Sequence, residues 1–277
     1  MSTANDNDRG RPYHTQCTGP ALATVSQHKG EADITLFGGC FCPFVQRVWV
    51  AFEYMGIPYK VYEVDPYKKP QDLLEVSPKG LVPALRFNRY NPPRALNEST
   101  VIMEFLEDLA SSTTKRTLLP PLSNPYARAL VRLQADHISR TIVPAFYRYL
   151  QAQESEEQIA KEKDFHAAID GAGERVALKK GLGLWIESEG GQDLGWSDVM
   201  VAPWILRAKI VLRHYRGFDL AKGERFNAWV NRLLEHPAFK ATCSAEQLYL
   251  DSYERYAFNR PNTSQVADAI NQGKALP

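Results

Sequence analysis

Gly38-Gly39-Cys40-Phe41-Cys42-Pro43-Phe44-Val45-Gln46-Arg47-Val48-Trp49-Val50-Ala51-Phe52-Glu53-Tyr54-Met55-Gly56 is the stretch from which the fold can be read. The short β-prone run Ile34-Thr35-Leu36-Phe37 leads into it and stops at the two glycines. A 3.6-residue period then sets in, with Val45, Val48, Trp49, Phe52 and Met55 on one face. Pro43 suits a first helical turn, and Gly56 with Pro58 suits the exit. The pattern is strand, turn, helix, with Cys42 at the junction of turn and helix.

Working outward, residues 59–64 alternate as a second strand and residues 70–76 form a short helix. Residues 81–87 read as a strand that begins at a proline, where a sheet tolerates one. Asn91-Pro92-Pro93 is a turn, Ala95-Leu96-Asn97 another short strand, and Ser99 opens a helix with Val101, Ile102, Phe105, Leu106 and Leu109 on one face. Pro120, Pro121 and Pro125 mark a linker. Beyond it every periodic segment is helical: 126–153, 156–180, 198–215, 225–235 and 245–258. Segment 198–215 is apolar almost all round, the pattern of a buried central helix, and Gly171-Ala172-Gly173 reads as an irregularity in the second. The predicted organisation is a flexible tail (1–31), an α/β domain (32–111), a linker (112–125), an all-α domain (126–258) and a loose second tail (259–277).

The chain has 277 residues, enough for two cores. A net charge of +1 without a basic stripe argues against a nucleic-acid partner. The polar first thirty residues lack a secretory apolar core, and no apolar run nears the ~20 residues of a membrane helix. Four cysteines in a chain of this size do not make a disulfide scaffold, which fits a reducing cytoplasm. The six histidines show no metal-ligand spacing and there is no Gly-x-Ser-x-Gly elbow, so no metal is expected.

Chemistry concentrates around Cys42. At a helix start the unpaired N–H groups and the helix dipole favour a thiolate, and such sites lower a cysteine pKa from about 8.5 to between ~3.5 and 7.5. Pro43 has no N–H, so Phe44 and Val45 are the nearest donors. A cysteine without context is more often buried and inert. Here the context is the layout of a thioredoxin-like domain, with Leu81-Val82-Pro83 about forty residues on. In that layout the proline is cis and turns the Val82 backbone N–H and C=O outward, where a peptide can add to the sheet edge. Glu98-Ser99 stands at a helix start: Ser99 can cap it, the N-terminus can hold a carboxylate, and Glu98 can accept from an ammonium group. A carboxylate beside an ammonium describes the γ-glutamyl end of glutathione. Lys69 could pair with the tripeptide's other carboxylate, although a loop lysine is usually just solvated.

Cys42-Pro43-Phe44, Gly80-Leu81-Val82-Pro83 and Glu98-Ser99, followed by an all-helical half, resemble an omega-class glutathione transferase of the fungal type over residues 32–258. The resemblance implies a thioredoxin-like domain followed by an all-helical one, a catalytic Cys42, and glutathione as co-substrate. It implies glutathione contacts from Phe44, Lys69, Val82, Pro83, Glu98 and Ser99, and a homodimer. The second substrate would be small and hydrophobic or S-glutathionylated. Trp204 aligns with a tryptophan of the acceptor pocket, and Tyr126, His137 and Tyr147 are further candidates for its wall; core packing competes as a reading for all four. The implied activities are thiol transfer and reduction of the dehydroascorbate type. Cys42 argues against a conjugating transferase that relies on a Tyr or Ser hydroxyl, while a carrier of aromatic ligands and a glutathione-dependent isomerase stay open. Two departures stand out. Position 45 is valine, so there is no Cys-x-x-Cys pair, and Gly195 stands where a Ser or Thr cap is usual.

Overall fold

The computed structural model of the chain describes residues 13–174, 193–220 and 223–277. The first twelve residues of the expected tail, and the 175–180 end of one expected helix, lie outside the described residues.

Four strands form one sheet: β1 (Ile34–Gly38), β2 (Lys60–Glu63), β3 (Ala84–Phe87) and β4 (Arg94–Asn97), in the order β2-β1-β3-β4. Strand β1 runs parallel to β2 and antiparallel to β3, with Phe37 opposite both Tyr62 and Ala84. Every residue of β1 is buried, as in a strand whose two faces are covered. A helix ahead of the sheet, α1 (Gly19–Gln27), precedes α2 (Pro43–Met55), α3 (Gln71–Val76) and α4 (Ser99–Ser112). Helices α2 and α4 pack on each other, and α3 lies against β3 and β4. This is the thioredoxin-like order β-α-β-α-β-β-α expected from the sequence. Gly38 is needed where β1 hands over to α2, because a Cβ there would lie 2.6 Å from the Val45 Cγ1.

The second half is helical: α5 (Pro125–His137), α6 (Val143–Gln151), α7 (Ser155–Glu174), α8 (Trp196–Arg207), α9 (Arg213–Arg216), α10 (Glu224–Glu235), α11 (Pro237–Lys240), α12 (Glu246–Ala257) and α13 (Gln265–Asn271). The two long helices expected at 126–153 and 198–215 are each crossed by a π-helical turn, Ile138–Ile142 and Ala208–Leu212. Gly171 to Gly173 fall within α7. Helix α8 is the central helix, packed on α2, α5 and α10. Gly195 caps it without a side chain; the Asp198 carboxylate accepts from the Gly195 N–H (2.9 Å) and from the Trp229 indole N–H (2.8 Å). The linker is pinned too, since the N–H groups of Leu118 and Leu119 donate to the buried Glu107.

Both expected tails are corrected in part. Residues 13–31 hold α1, whose Ala21, Thr24 and Val25 are buried. The Ala21 N–H donates to the Cys243 carbonyl and the Thr24 hydroxyl to that of Ala241, so α1 is held by the helical half. At the other end α13 buries Ala267 and Ile270, and the Gln151 amide donates to the Ala267 carbonyl at 3.3 Å. Polar composition hid these segments, because each contributes only three or four buried side chains.

Candidate active site

A cavity of about 1500 Å³ opens between the two halves, and Cys42, Phe44, Lys69, Val82, Pro83, Glu98 and Ser99 all line it. It exceeds the roughly 300–1,000 Å³ of a single-ligand pocket. Cys42 is the N-cap of α2, in extended conformation, with Pro43 in the first turn. The N–H groups of Val45 and Phe44, the donors named from the sequence, act to lower the pKa of its thiol, although the side chain makes no cap hydrogen bond. Across the cavity floor its Sγ lies 3.9 Å from the Val82 carbonyl oxygen, and the Val82–Pro83 bond is cis.

The charge state differs from the expectation. Burial pushes the Cys42 thiol up from its ordinary value; the Val45 and Phe44 N–H groups and the Arg207 and Arg47 guanidiniums act in the other direction and do not overcome it. A helix start is visible in sequence, whereas the desolvation that outweighs it depends on the packing around the sulfur. Burial holds the Cys40 thiol at about 12 and the Cys243 thiol at about 11. All four cysteines are free, and Cys42 is the one that lines the cavity.

On the rim, Glu98 rather than Ser99 is the N-cap of α4, with φ at +70° and no side-chain cap bond. Ser99 is the first helical residue, so its expected capping role falls away. A non-glycine residue in that left-handed region carries strain of order 1–3 kcal/mol, which survives where the surroundings impose it. Lys69 lies across Gly80, whose φ is +63° and whose missing Cβ leaves room for the lysine stem. The Lys69 ammonium donates to the Lys79 carbonyl at 3.2 Å and is otherwise on the exposed rim.

The helical wall agrees less well with the four residues named for it. Tyr147 is in place: it is buried, lines the cavity and has its hydroxyl among those of Tyr253 and Tyr256. Trp204 is fully buried outside the lining, beneath the Phe44 ring (5.0 Å between centroids) and the Arg47 guanidinium (4.2 Å). The cavity face of α8 comes from Trp196 and Met200, and Trp204 lies further along the axis behind that cover. Tyr126 is 65% exposed, one position off the face of α5 that buries Ala127, Leu130 and Gln134. His137 is outside the lining, with its Nε2 3.0 Å from the Ala168 carbonyl.

Two buried arginines were missed. Arg207 donates from Nη2 to the Phe41 carbonyl (3.0 Å), from Nη1 to the Gln46 amide oxygen (2.5 Å) and the Pro203 carbonyl (2.9 Å), and from Nε to the Tyr253 hydroxyl (3.1 Å). It thereby ties the chain on both sides of Cys42 to α8 and α12. Arg47, on the cavity lining, donates from Nε to the Met200 carbonyl (2.8 Å). Burial lowers its pKa to about 9, opposed by Tyr147 and Cys42. An arginine on an otherwise apolar helix face was the available signal. Among the described residues no group of His, Cys, Asp and Glu could hold a metal ion, and no helix is long and apolar enough to cross a membrane.

The sequence model of the glutathione S-transferase N-terminal domain matches residues 41–109. The solved structure of glutathione transferase Omega 3C from Trametes versicolor is similar over 88% of this chain and 98% of its own, with 37% identity and a TM-score of 0.75. Glutathione S-transferase U8 of Arabidopsis thaliana is 32% identical over 61% of this chain and 69% of its own length. The pyrimidodiazepine synthase of Drosophila melanogaster is 28% identical over 83% of this chain and 88% of its own.

Proposed function

The chain belongs to the glutathione transferase family, and within it we propose an omega-class thiol transferase and reductase that works through a mixed disulfide between Cys42 and glutathione. One observation carries this reading: the group at the helix start, facing the cis-proline backbone and the cavity, is a sulfur rather than a hydroxyl. Sulfur can form a covalent bond to the glutathione sulfur, whereas a hydroxyl can only hydrogen-bond to it.

Glutathione lies along the rim. Its γ-glutamyl carboxylate meets the first turn of α4 at Ser99, and its ammonium meets Glu98. Its cysteinyl backbone pairs with Val82, and its glycyl carboxylate meets Lys69, with Phe44 against the peptide. The Cys42 thiolate attacks the glutathionyl sulfur of a substrate R–S–SG; the S–S bond breaks, Cys42–S–SG forms, and R–S⁻ leaves and takes a proton. A second glutathione thiolate attacks the glutathione sulfur of that adduct, giving oxidised glutathione and restoring Cys42. Reduction of dehydroascorbate consumes two glutathione molecules for two electrons through the same adduct. The Phe44 and Val45 N–H groups stabilise each sulfur anion as it forms at position 42. The enzyme acts as a homodimer in the reducing cytoplasm, where free thiols persist.

The test is mass spectrometry after exposure to oxidised glutathione, alongside a hydroxyethyl disulfide and dehydroascorbate assay. One glutathionyl group on Cys42 is expected. An adduct on Cys40 together with an active Cys42→Ser protein sinks the reading.

A further inference from the structure

Each half of the thiol-transfer cycle moves a proton: the leaving thiolate takes one up, and the second glutathione must lose one to attack. Among the described residues the cavity lining holds no histidine. Its carboxylates are Glu98 and Asp268, on exposed positions, and Glu104 and Asp136, which are paired with Arg132 and Arg140. Three tyrosines of the lining stand close enough to Cys42 for a thiolate there to raise their pKa values: Tyr147 on α6, and Tyr253 and Tyr256 on α12.

The three are not equivalent. The Tyr256 hydroxyl donates to the Ser264 hydroxyl at 2.9 Å, so its proton is already placed. The Tyr253 oxygen instead accepts from the Arg207 Nε at 3.1 Å, and the Tyr147 hydroxyl bonds to it and lowers its pKa, as a donor does. A phenol oxygen that receives two donors keeps its own proton for a third group, and its phenolate is stabilised in advance. The same guanidinium sets where that hydroxyl stands. Arg207 donates from Nη2 to the Phe41 carbonyl at 3.0 Å, the peptide oxygen just before Cys42, and the Phe41 and Tyr253 rings meet edge to face at 6.2 Å. One side chain thus ties the Tyr253 hydroxyl to the peptide that carries the nucleophile. Burial raises the Tyr253 pKa above the ordinary tyrosine value despite Arg207, so the hydroxyl is protonated at neutral pH.

We propose that Tyr253, backed by Arg207 and Tyr147, is the acid and then the base of the thiol-transfer cycle. The proposal rests on the thiol-transfer reading of Cys42 and adds the proton path to it. As the Cys42 thiolate attacks R–S–SG, the S–S bond breaks and its electron pair goes to the leaving sulfur. The Tyr253 proton goes to that sulfur, giving R–SH and a phenolate. The incoming glutathione thiol then gives its proton to the phenolate, and its sulfur takes the glutathionyl group from Cys42, whose thiolate is set free again. Over the cycle R–S–SG and one glutathione become R–SH and oxidised glutathione, and Tyr253 ends as it began. The two acids are well matched, about 8.5 for an ordinary thiol against about 10 for a phenol. A strongly acidic thiol leaves as a stable anion and gains little from the acid.

The experiment measures kcat/KM of the full chain with two glutathionyl mixed disulfides of similar size, one of benzyl mercaptan and one of the far more acidic 4-nitrobenzenethiol. Tyr253→Phe should slow the benzyl substrate at least ~30-fold more than the nitrobenzene one. Tyr147→Phe removes one of the two donors and should shift the same ratio about threefold. Equal slowing of both substrates by Tyr253→Phe overturns the proposal, because a structural role does not distinguish leaving groups. So does an unchanged ratio. Should Tyr253→Phe fail to fold, the wild-type chain decides. Its rates must then depend less steeply on the acidity of the leaving thiol than attack by free glutathione on the same disulfides, and an equal or steeper dependence overturns the role. Mass spectrometry separates the two levels: no glutathionyl group on Cys42 removes the thiol-transferase reading itself, whereas a Cys42 adduct with an unchanged ratio in Tyr253→Phe removes Tyr253 alone.

Discussion

At the rim of the cavity Lys69 and Glu98 stand exposed on a loop and at a helix start of the sheet domain, with water as the alternative partner for their charges. At the floor Arg47 and Arg207 are each 1% exposed and meet backbone carbonyls of the other half of the molecule. A rim residue exchanges water for ligand, so it contributes to affinity and little to stability. A floor residue has no water to fall back on, so stability and chemistry are coupled in it. The floor itself divides. Arg207 has four directed bonds and holds the Cys42 turn, whereas Arg47 has one and keeps a buried nitrogen without a partner.

The largest effect is expected at the floor's sulfur. Cys42→Ser should lower disulfide and dehydroascorbate reduction by at least ~10³-fold, as loss of a nucleophile does, while glutathione binding holds and aryl-halide conjugation stays level or rises. Steady-state kinetics with both substrate types check it, and equal loss of the two activities would mark Cys42 as structural.

Arg207→Met should come next. Four buried acceptors lose their donor, and a loss of ~2–4 kcal/mol is expected. Denaturant unfolding measures it, and Arg47→Met in the same assay should lose less than half as much. Equal losses would erase the distinction between the two arginines.

A pH series of alkylation addresses the opposing forces on Cys42. Because burial raises its pKa, the thiolate fraction at neutral pH is below that of a free cysteine. Iodoacetamide should therefore react with Cys42 more slowly than with a free thiol at pH 7.5, and the rate should still be climbing above pH 9. A plateau by pH 7 would show that the helix start and the guanidiniums win over burial.

At the rim Glu98→Gly should act in two directions. It relieves the strain of the positive φ, which outweighs the added chain entropy of glycine and raises stability by up to ~1 kcal/mol, while the glutathione KM rises by about tenfold through loss of a charge-assisted bond. Unchanged KM removes Glu98 from the site. Lys69→Ala should give the smallest effect, a rise of about two- to threefold in that KM which fades at high salt. A salt-independent loss would mean that Lys69 is desolvated by the ligand and belongs with the floor.

Much of the sheet domain was legible because its signals are local. The period of α2, the glycines before it and the proline at position 83 each specify backbone within a few residues, and the rim residues lie at the ends of those elements. Tyr147 lines the cavity while Trp204 lies a layer behind it, since helical period tells which face of α8 is buried and not what covers it. Helix α1 was read as tail because its few buried side chains meet residues more than two hundred positions away, as in the Thr24 hydroxyl bond to the Ala241 carbonyl.

Chain order and local period were thus enough for the thioredoxin-like half, the helical half and the position of the sulfur at a helix start, since each depends on neighbours within one or two turns. The protonation of that sulfur, the work of Arg207 and the burial of Arg47 depend on which distant groups come within hydrogen-bond reach and how much water they exclude. Those quantities come into being only when α2, α8 and α12 close on one another.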